Sequence, residues 1–222
     1  MAQHRQPGGT ASGAAREQAP SRIAWGSLAS PVGDLHVGCS QDGVSQVSFG
    51  PPHGGPAGHS GPPGAGSPPP GGAPARARDL LAAAIGQLTG YFAGQRRAFD
   101  LPVDWSGTTG TQQQVLSALL AGAGYGQTLT YGALARLARL PDGGDAGSPG
   151  QYVPPARVVG QVMGSNPCPV IVPCHRVVAG DGLGGYSGGA GTEIKRWLLI
   201  FEGALPPTLD WDPAGAGLPV AR

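Results

Sequence analysis

Cys174 and His175 stand side by side at the end of the apolar run P-V-I-V-P-C-H-R-V-V, residues 169–178. A cysteine attacks carbon only as thiolate, and an adjacent imidazole favours that form. The alternative chemistry is none at all, because cysteine is among the most buried residue types and most core thiols are inert. Val170, Ile171 and Val172 are β-branched, a pattern that predicts a buried strand. Pro173 cannot donate to a ladder, so pairing should stop there and leave Cys174 at the strand end, facing a pocket. Cys168, Cys174 and His175 could make a partial metal site, but Pro169 and the apolar run lie between them, so none is expected.

The elements that must position this pair can be read outward from it. Leu35, Val37 and Cys39 alternate with polar or small residues, and Val44, Val47 and Phe49 follow Asp42-Gly43. Asp-Gly between two apolar runs predicts a hairpin, which makes Cys39 a strand residue. A helix is predicted from Arg76, with Leu80, Leu81, Ala84, Leu88, Tyr91 and Phe92 as its packing face. Residues 101–107 read as a linker. Thr109 to Thr111 open a second helix, with Val115, Leu116, Leu119 and Leu120 as its stripe and Gly122 to Gly124 as its end. A third helix starts near Thr130 and carries Leu134, Leu137 and Ala138. A fourth runs from Pro155 to about Gly164, with proline at a first-turn position. The last two resemble a helix-turn-helix, the second of them in the recognition position.

Composition sets the outer limits. The chain has 222 residues, enough for one large or two small domains. Its 41 glycines and 24 prolines concentrate in places, above all in residues 51–74, which read as a flexible low-complexity insertion. His53 and His59 within it are too sparse for a metal tract. Residues 1–20 are expected to be disordered and hold no apolar signal core; no run is long enough to span a bilayer. Three cysteines without a secretory segment point to a reducing cytosol, hence a cytoplasmic protein. The net charge of +1 does not by itself suggest nucleic acid, so any DNA surface must be a local patch.

Five ordered blocks carry a family resemblance. They are T-Q-Q-Q-V-L (111–116), Y-G-Q-T-L-T-Y-G-A-L-A (125–135), A-R-V-V-G-Q-V-M-G-S-N-P (156–167), V-P-C-H-R-V-V (172–178), and G-G-Y-S-G-G (184–189) with K-R-W-L-L-I-F-E-G-A (195–204). Together they resemble the O6-alkylguanine-DNA alkyltransferases, suicide DNA-repair proteins, over roughly residues 108–204. The resemblance implies an α/β fold: a ribonuclease-H-like N-terminal domain (21–104) and a mostly helical C-terminal domain (105–204) with a winged helix-turn-helix, then a tail (205–222). It implies transfer of an alkyl group from guanine O6 to Cys174, once per molecule and with no cofactor, on double-stranded DNA carrying O6-alkylguanine. It also implies a monomer.

By position, His175 would be linked to Cys174 through a water and bonded to Glu202. Tyr131 would donate to guanine N3 and Ser187 would meet O6. Arg157 would fill the place of the flipped base. Asn166 would hold the helix-turn-helix against the active-site turn. Tyr186, Val177 and Met163 complete the implied substrate surface, and Arg176 would serve structure through nearby carbonyls. Without the resemblance, Glu202 reads as a solvated helix-end acid and Arg157 as an ordinary exposed arginine. The chain departs from the family at Thr111, where phenylalanine is common, at Leu116, where tryptophan is common, and at Ala123-Gly124 in place of Ile-Pro. The stretch 140–154 is longer than the usual connection and could lie near DNA.

Three other readings follow from the same residues. A non-catalytic alkylated-DNA binder would lack the reactive cysteine. A helix-turn-helix regulator would use Cys174 only for packing. A Cys-His hydrolase would leave Tyr131, Arg157 and Asn166 without a purpose.

Overall fold

The computed structural model describes residues 22–50, 72–141, 144–145, 152–185 and 191–207. The expected disorder of 1–20, most of the 51–74 insertion and most of the tail lie outside the described residues, as do Tyr186 and Ser187.

Three antiparallel strands form the N-terminal sheet: β1 (Ala24–Leu28), β2 (Leu35–Cys39) and β3 (Val44–Phe49). The alternation read from the sequence buries Leu35, Val37, Cys39, Val44 and Val47 on the inner side, and Asp42-Gly43 forms the turn, with Gly43 at φ +156. A side chain at residue 43 would collide with the Pro102 carbonyl oxygen, so only glycine allows the 101–107 segment to come this close. That segment is more than a linker. Val44 N–H donates to Pro102 O at 2.8 Å and Asp104 N–H to Val44 O at 2.9 Å, which adds a parallel bridge at Val103 to the sheet.

Helix α1 (Ala75–Phe92) lies across the sheet and buries Ala77, Ala84, Leu88 and Tyr91. Gly26 of β1 receives Leu81 and Ile85; a Cβ there would sit 2.9 Å from Ile85 Cδ1.

The C-terminal half is mainly helical. Helix α2 (Gly110–Gly122) opens on a capping box, in which the Thr109 side chain accepts from Gln112 N–H and the Gln112 side chain accepts from Thr109 N–H. Val115, Leu116 and Leu119 are buried, but Leu120 is 41% exposed and does not belong to the core stripe expected for it. Strand β4 (Leu129–Thr130) leads into α3 (Tyr131–Leu137), whose N-terminus is capped by Thr130. Leu137, also expected in the core, is 48% exposed.

Within the long connection, β5 (Gly144–Asp145) and β6 (Tyr152–Val153) pair as a short hairpin. Helix α4 (Pro155–Gly164) follows with proline in its first turn, and packs against α3 and α2. The chain closes through a short 3-10 helix (Cys174–Arg176), strand β7 (Val177–Val178) and helix α5 (Thr192–Phe201).

The β-branched run before Cys174 is buried as expected, yet it is not a strand. Residues 169–172 form a compact turn in which Val172 N–H donates to Cys168 O at 2.8 Å. Val170 takes φ +73, a conformation that β-branched side chains disfavour, and total burial holds it there. Prolines at 169 and 173 withhold ladder donors, and the Asn166 amide supplies the missing partners. Its Nδ2 donates to Val172 O at 2.8 Å, and its Oδ1 accepts from Cys168 N–H at 3.0 Å. Burial without periodicity cannot tell a strand from such a turn.

Candidate active site

The turn delivers Cys174 onto the 3-10 helix, where it is 4% exposed. Strand β7, immediately after, pairs parallel with β4: Leu129 opposite Val177 and Thr130 opposite Val178. Since α3 begins at the next residue, this pairing brings Tyr131 to the cysteine. The Tyr131 ring passes between α4 and the Gly184-Gly185 segment. A Cβ on Gly160 would lie 4.0 Å from it and one on Gly184, at φ +68, only 3.0 Å away. Tyr131 Oη donates to Gly185 O at 3.3 Å. Its phenol is raised by burial and further by negative charge on Cys174, which keeps it a proton donor.

His175 is fully buried. Its Nε2 meets Glu202 Oε1 at 3.0 Å. Its Nδ1 is buried and has no hydrogen-bond partner among the described residues. Burial lowers the imidazole pKa and outweighs the opposing bond to Glu202, so the ring is neutral at physiological pH. With Nε2 donating to the carboxylate, Nδ1 is the nitrogen that can take a proton.

Glu202, at the end of α5, is 5% exposed, which overturns its reading as a solvated helix-end acid. Its carboxylate accepts from Arg176 Nε at 2.9 Å, Arg176 Nη2 at 2.9 Å, Tyr91 Oη at 2.7 Å and Gly126 N–H at 3.4 Å. Burial pushes the carboxyl up, but the bonds and charges of His175 and Arg176 overcome it and hold it well below the usual carboxylate range. Arg176 does bond a carbonyl as expected, Ala123 O at 2.7 Å, and its forked ion pair with Glu202 adds what the sequence reading did not contain.

Lys195 noticeably changes the electrostatics of the site. It is fully buried on α5, and its Nζ donates to Val177 O and to Gly185 O at 2.6 and 3.2 Å. Burial pulls its ammonium down to about 8, and negative charge on Cys174 opposes that pull. The ammonium is still mostly protonated at neutral pH, and its charge favours thiolate on Cys174. The signal was present in the sequence: Lys195, Leu199 and Glu202 fall at helical spacing on one face, and this is the chain's only lysine. Tyr91 also passed as simple packing, although a buried tyrosine needs a partner for its hydroxyl.

The structure thus gathers Cys174, His175, Glu202, Arg176, Tyr131 and the bracing Asn166 around one turn. Val177 and Met163 are buried beside it, in β7 and on the inner side of α4. Arg157 stands apart, exposed in the first turn of α4. Asn166→Ala is expected to cost about 2 kcal/mol of stability, since it leaves the Cys168 N–H and Val172 C=O buried without their partner; urea denaturation followed by circular dichroism measures it. Among the described residues no group of three His, Cys, Asp or Glu side chains could hold a metal ion.

Comparison with known proteins places this geometry. Residues 23–105 match the 6-O-methylguanine DNA methyltransferase ribonuclease-like domain, and residues 110–204 the DNA binding domain of the same family. A methylated-DNA–protein-cysteine methyltransferase of Mycobacterium bovis is 42% identical over 127 residues, covering 57% of this chain and 67% of that protein. A DNA base-flipping protein of Thermus thermophilus is 40% identical over 117 residues, 52% of this chain and 68% of its own length. The crystal structure of Mycobacterium tuberculosis OGT in complex with DNA superposes with a TM-score of 0.59 at 32% identity, covering 80% of this chain and 92% of that one. Both halves of the chain match, and the chain belongs to the O6-methylguanine DNA methyltransferase family.

Proposed function

We propose that this chain repairs DNA directly, moving the alkyl group from O6 of guanine in a duplex to Cys174 Sγ in a single irreversible turnover. The observation that carries the reading is a buried cysteine adjoining a neutral histidine that is anchored 3.0 Å from a buried carboxylate. The thiol proton passes to His175 Nδ1, directly or through a water, and Glu202 stabilises the imidazolium that forms. The sulfur then attacks the saturated carbon: an S–C bond forms, the C–O6 bond breaks, and the electron pair leaves on guanine. Tyr131, and Ser187 of the glycine loop, supply donors where that charge develops. A thioether does not readily revert, so each molecule acts once. The displacement uses side chains alone.

A base inside a duplex cannot reach a buried thiol, so it must be flipped out at a cost of a few kcal/mol. Arg157, exposed at the entrance of α4, fills the vacated stack, Asn166 braces the turn, and Val177, Met163 and Tyr186 contribute to substrate binding. The domain division is 21–104 and 105–204. Arg157→Ala is expected to slow transfer from duplex DNA by about tenfold or more, since unstacking loses its compensation. Transfer from a free O6-alkylguanine base, which needs no flipping, should be unchanged; single-turnover rates on the two substrates check this.

We place the protein in the cytoplasm, in keeping with the free thiols of Cys39 and Cys168, and read it as a monomer. Among the described residues no helix is long and apolar enough to cross a membrane. The test is incubation with duplex DNA carrying one labelled O6-methylguanine. Label should appear once per protein, on the peptide containing Cys174. Binding without transfer would leave a damage-recognition protein instead.

A further inference from the structure

We propose that the hydroxyl of Tyr91, contributed by the N-terminal domain, is a positioning group for alkyl transfer that acts through Glu202 on the proton held by His175. This inference rests on the transfer reading above and adds a residue from the other half of the chain to its machinery.

The geometry is specific. Tyr91 lies at the end of α1, fully buried. Its Oη–H donates to Glu202 Oε1 at 2.7 Å, the same oxygen that faces His175 Nε2 at 3.0 Å and Arg176 Nη2 at 2.9 Å. The ring is fixed by other aromatic rings: Phe99 at 5.4 Å, Phe201 at 5.5 Å and Tyr125 at 6.2 Å between centroids. These contacts account for packing, and a phenylalanine would satisfy them equally. The hydroxyl is what packing does not explain.

A carboxylate offers about four lone-pair directions. Here five bonds, from Tyr91, His175, Arg176 twice and Gly126, crowd onto them, three of the five on Oε1. Arg176 also cancels the formal charge of Glu202. Tyr91 draws further electron density from the oxygen that faces the imidazole, so His175 meets a carboxylate that orients the ring without holding a resting proton on it. The groups facing His175 with charge are Glu202 from α5, Arg176 beside it and Lys195 from α5. Removing the hydroxyl leaves Oε1 with one donor fewer and strengthens its hold on a protonated ring. More of the enzyme is then protonated at His175 at a given pH, and that fraction cannot accept the thiol proton.

The test is the pH dependence of the single-turnover transfer rate for full-length Tyr91→Phe against the natural protein. The midpoint of the acid limb is expected to move up by roughly one pH unit, the order set by one hydrogen bond to a charged group. A midpoint that stays in place overturns the assignment, whether or not the plateau falls, because lost packing alone does not move a proton equilibrium.

Nitrogen NMR of the His175 ring reads the same equilibrium with no substrate present. Its titration should move upward in Tyr91→Phe, and a fixed titration overturns the proposal. In a Glu202→Gln background the Tyr91→Phe change should produce no further shift; an undiminished shift would show that the hydroxyl does not act through Glu202. Should the natural protein transfer no alkyl group at all, the repair reading falls while the ring titration still decides this inference.

Discussion

Glu202→Ala is expected to lower the free energy of unfolding by about 3–5 kcal/mol, because it strands a buried arginine. Arg176 loses two of its three bonds, Tyr91 loses its acceptor and His175 loses its anchor. Against the roughly 5–15 kcal/mol that holds a typical domain together, this is a large fraction. Transfer should become too slow to measure even where the variant stays folded, since nothing then fixes the imidazole tautomer. Urea denaturation, with transfer assayed below the unfolding midpoint, separates the two effects.

The same network sets the response of the natural protein to acid. Both His175 and Glu202 have folded-state values below their unfolded ones, so the unfolded chain binds more protons as pH falls. The stability they contribute is full above about pH 6.5, the ordinary histidine value. It begins to fall below that pH through His175 and falls further below about pH 4.3, the ordinary glutamate value, through Glu202. Thermal unfolding from pH 8 to pH 4 should show a melting temperature that declines throughout the acid half; a flat profile would contradict the buried ion network.

Cys174→Ala is expected to abolish transfer completely while leaving recognition of the alkylated duplex in place. The sulfur is the acceptor itself, so no neighbouring group can take over its role. On the reading proposed above, the lesion is held by other residues, Tyr131 and Arg157 among them, so binding should survive. Loss of one buried sulfur should cost only about 1 kcal/mol of stability, so the variant remains folded. Cys174→Ser is equally informative. A hydroxyl is far harder to deprotonate than a thiol and is a poorer nucleophile toward saturated carbon, so the rate should fall by several orders of magnitude. Fluorescence anisotropy with a labelled duplex, together with the methyl-transfer assay, checks both variants. Restored transfer in the alanine protein would mean that another residue is the acceptor.

Much of the frame was legible from residue order. The hairpin about Asp42-Gly43, the start of α1, the helix opened at Thr109 and the proline-opened helix α4 follow from local rules, because turns, helix starts and helical stripes depend on neighbours within a few residues. The cysteine-histidine pair and the family blocks around it were equally visible. The fate of the β-branched run was not. Two prolines and the Asn166 amide, two to six residues from its partners, made it a turn, and burial without periodicity does not distinguish such a turn from a strand.

The sequence by itself determined which residues could do chemistry and which helices would carry them: Cys174 beside His175, Tyr131 at a helix start, Arg157 at another, Glu202 at a helix end. Only the tertiary structure decided what those residues became. It buried Glu202 against Arg176, recruited Tyr91 from a different domain, and turned the single lysine inward to two carbonyls. The physical reason is that a carboxylate's character depends on solvent access and on donors brought from far along the chain, Tyr91 being 111 positions from Glu202. Spacing within one helix carries no record of such partners.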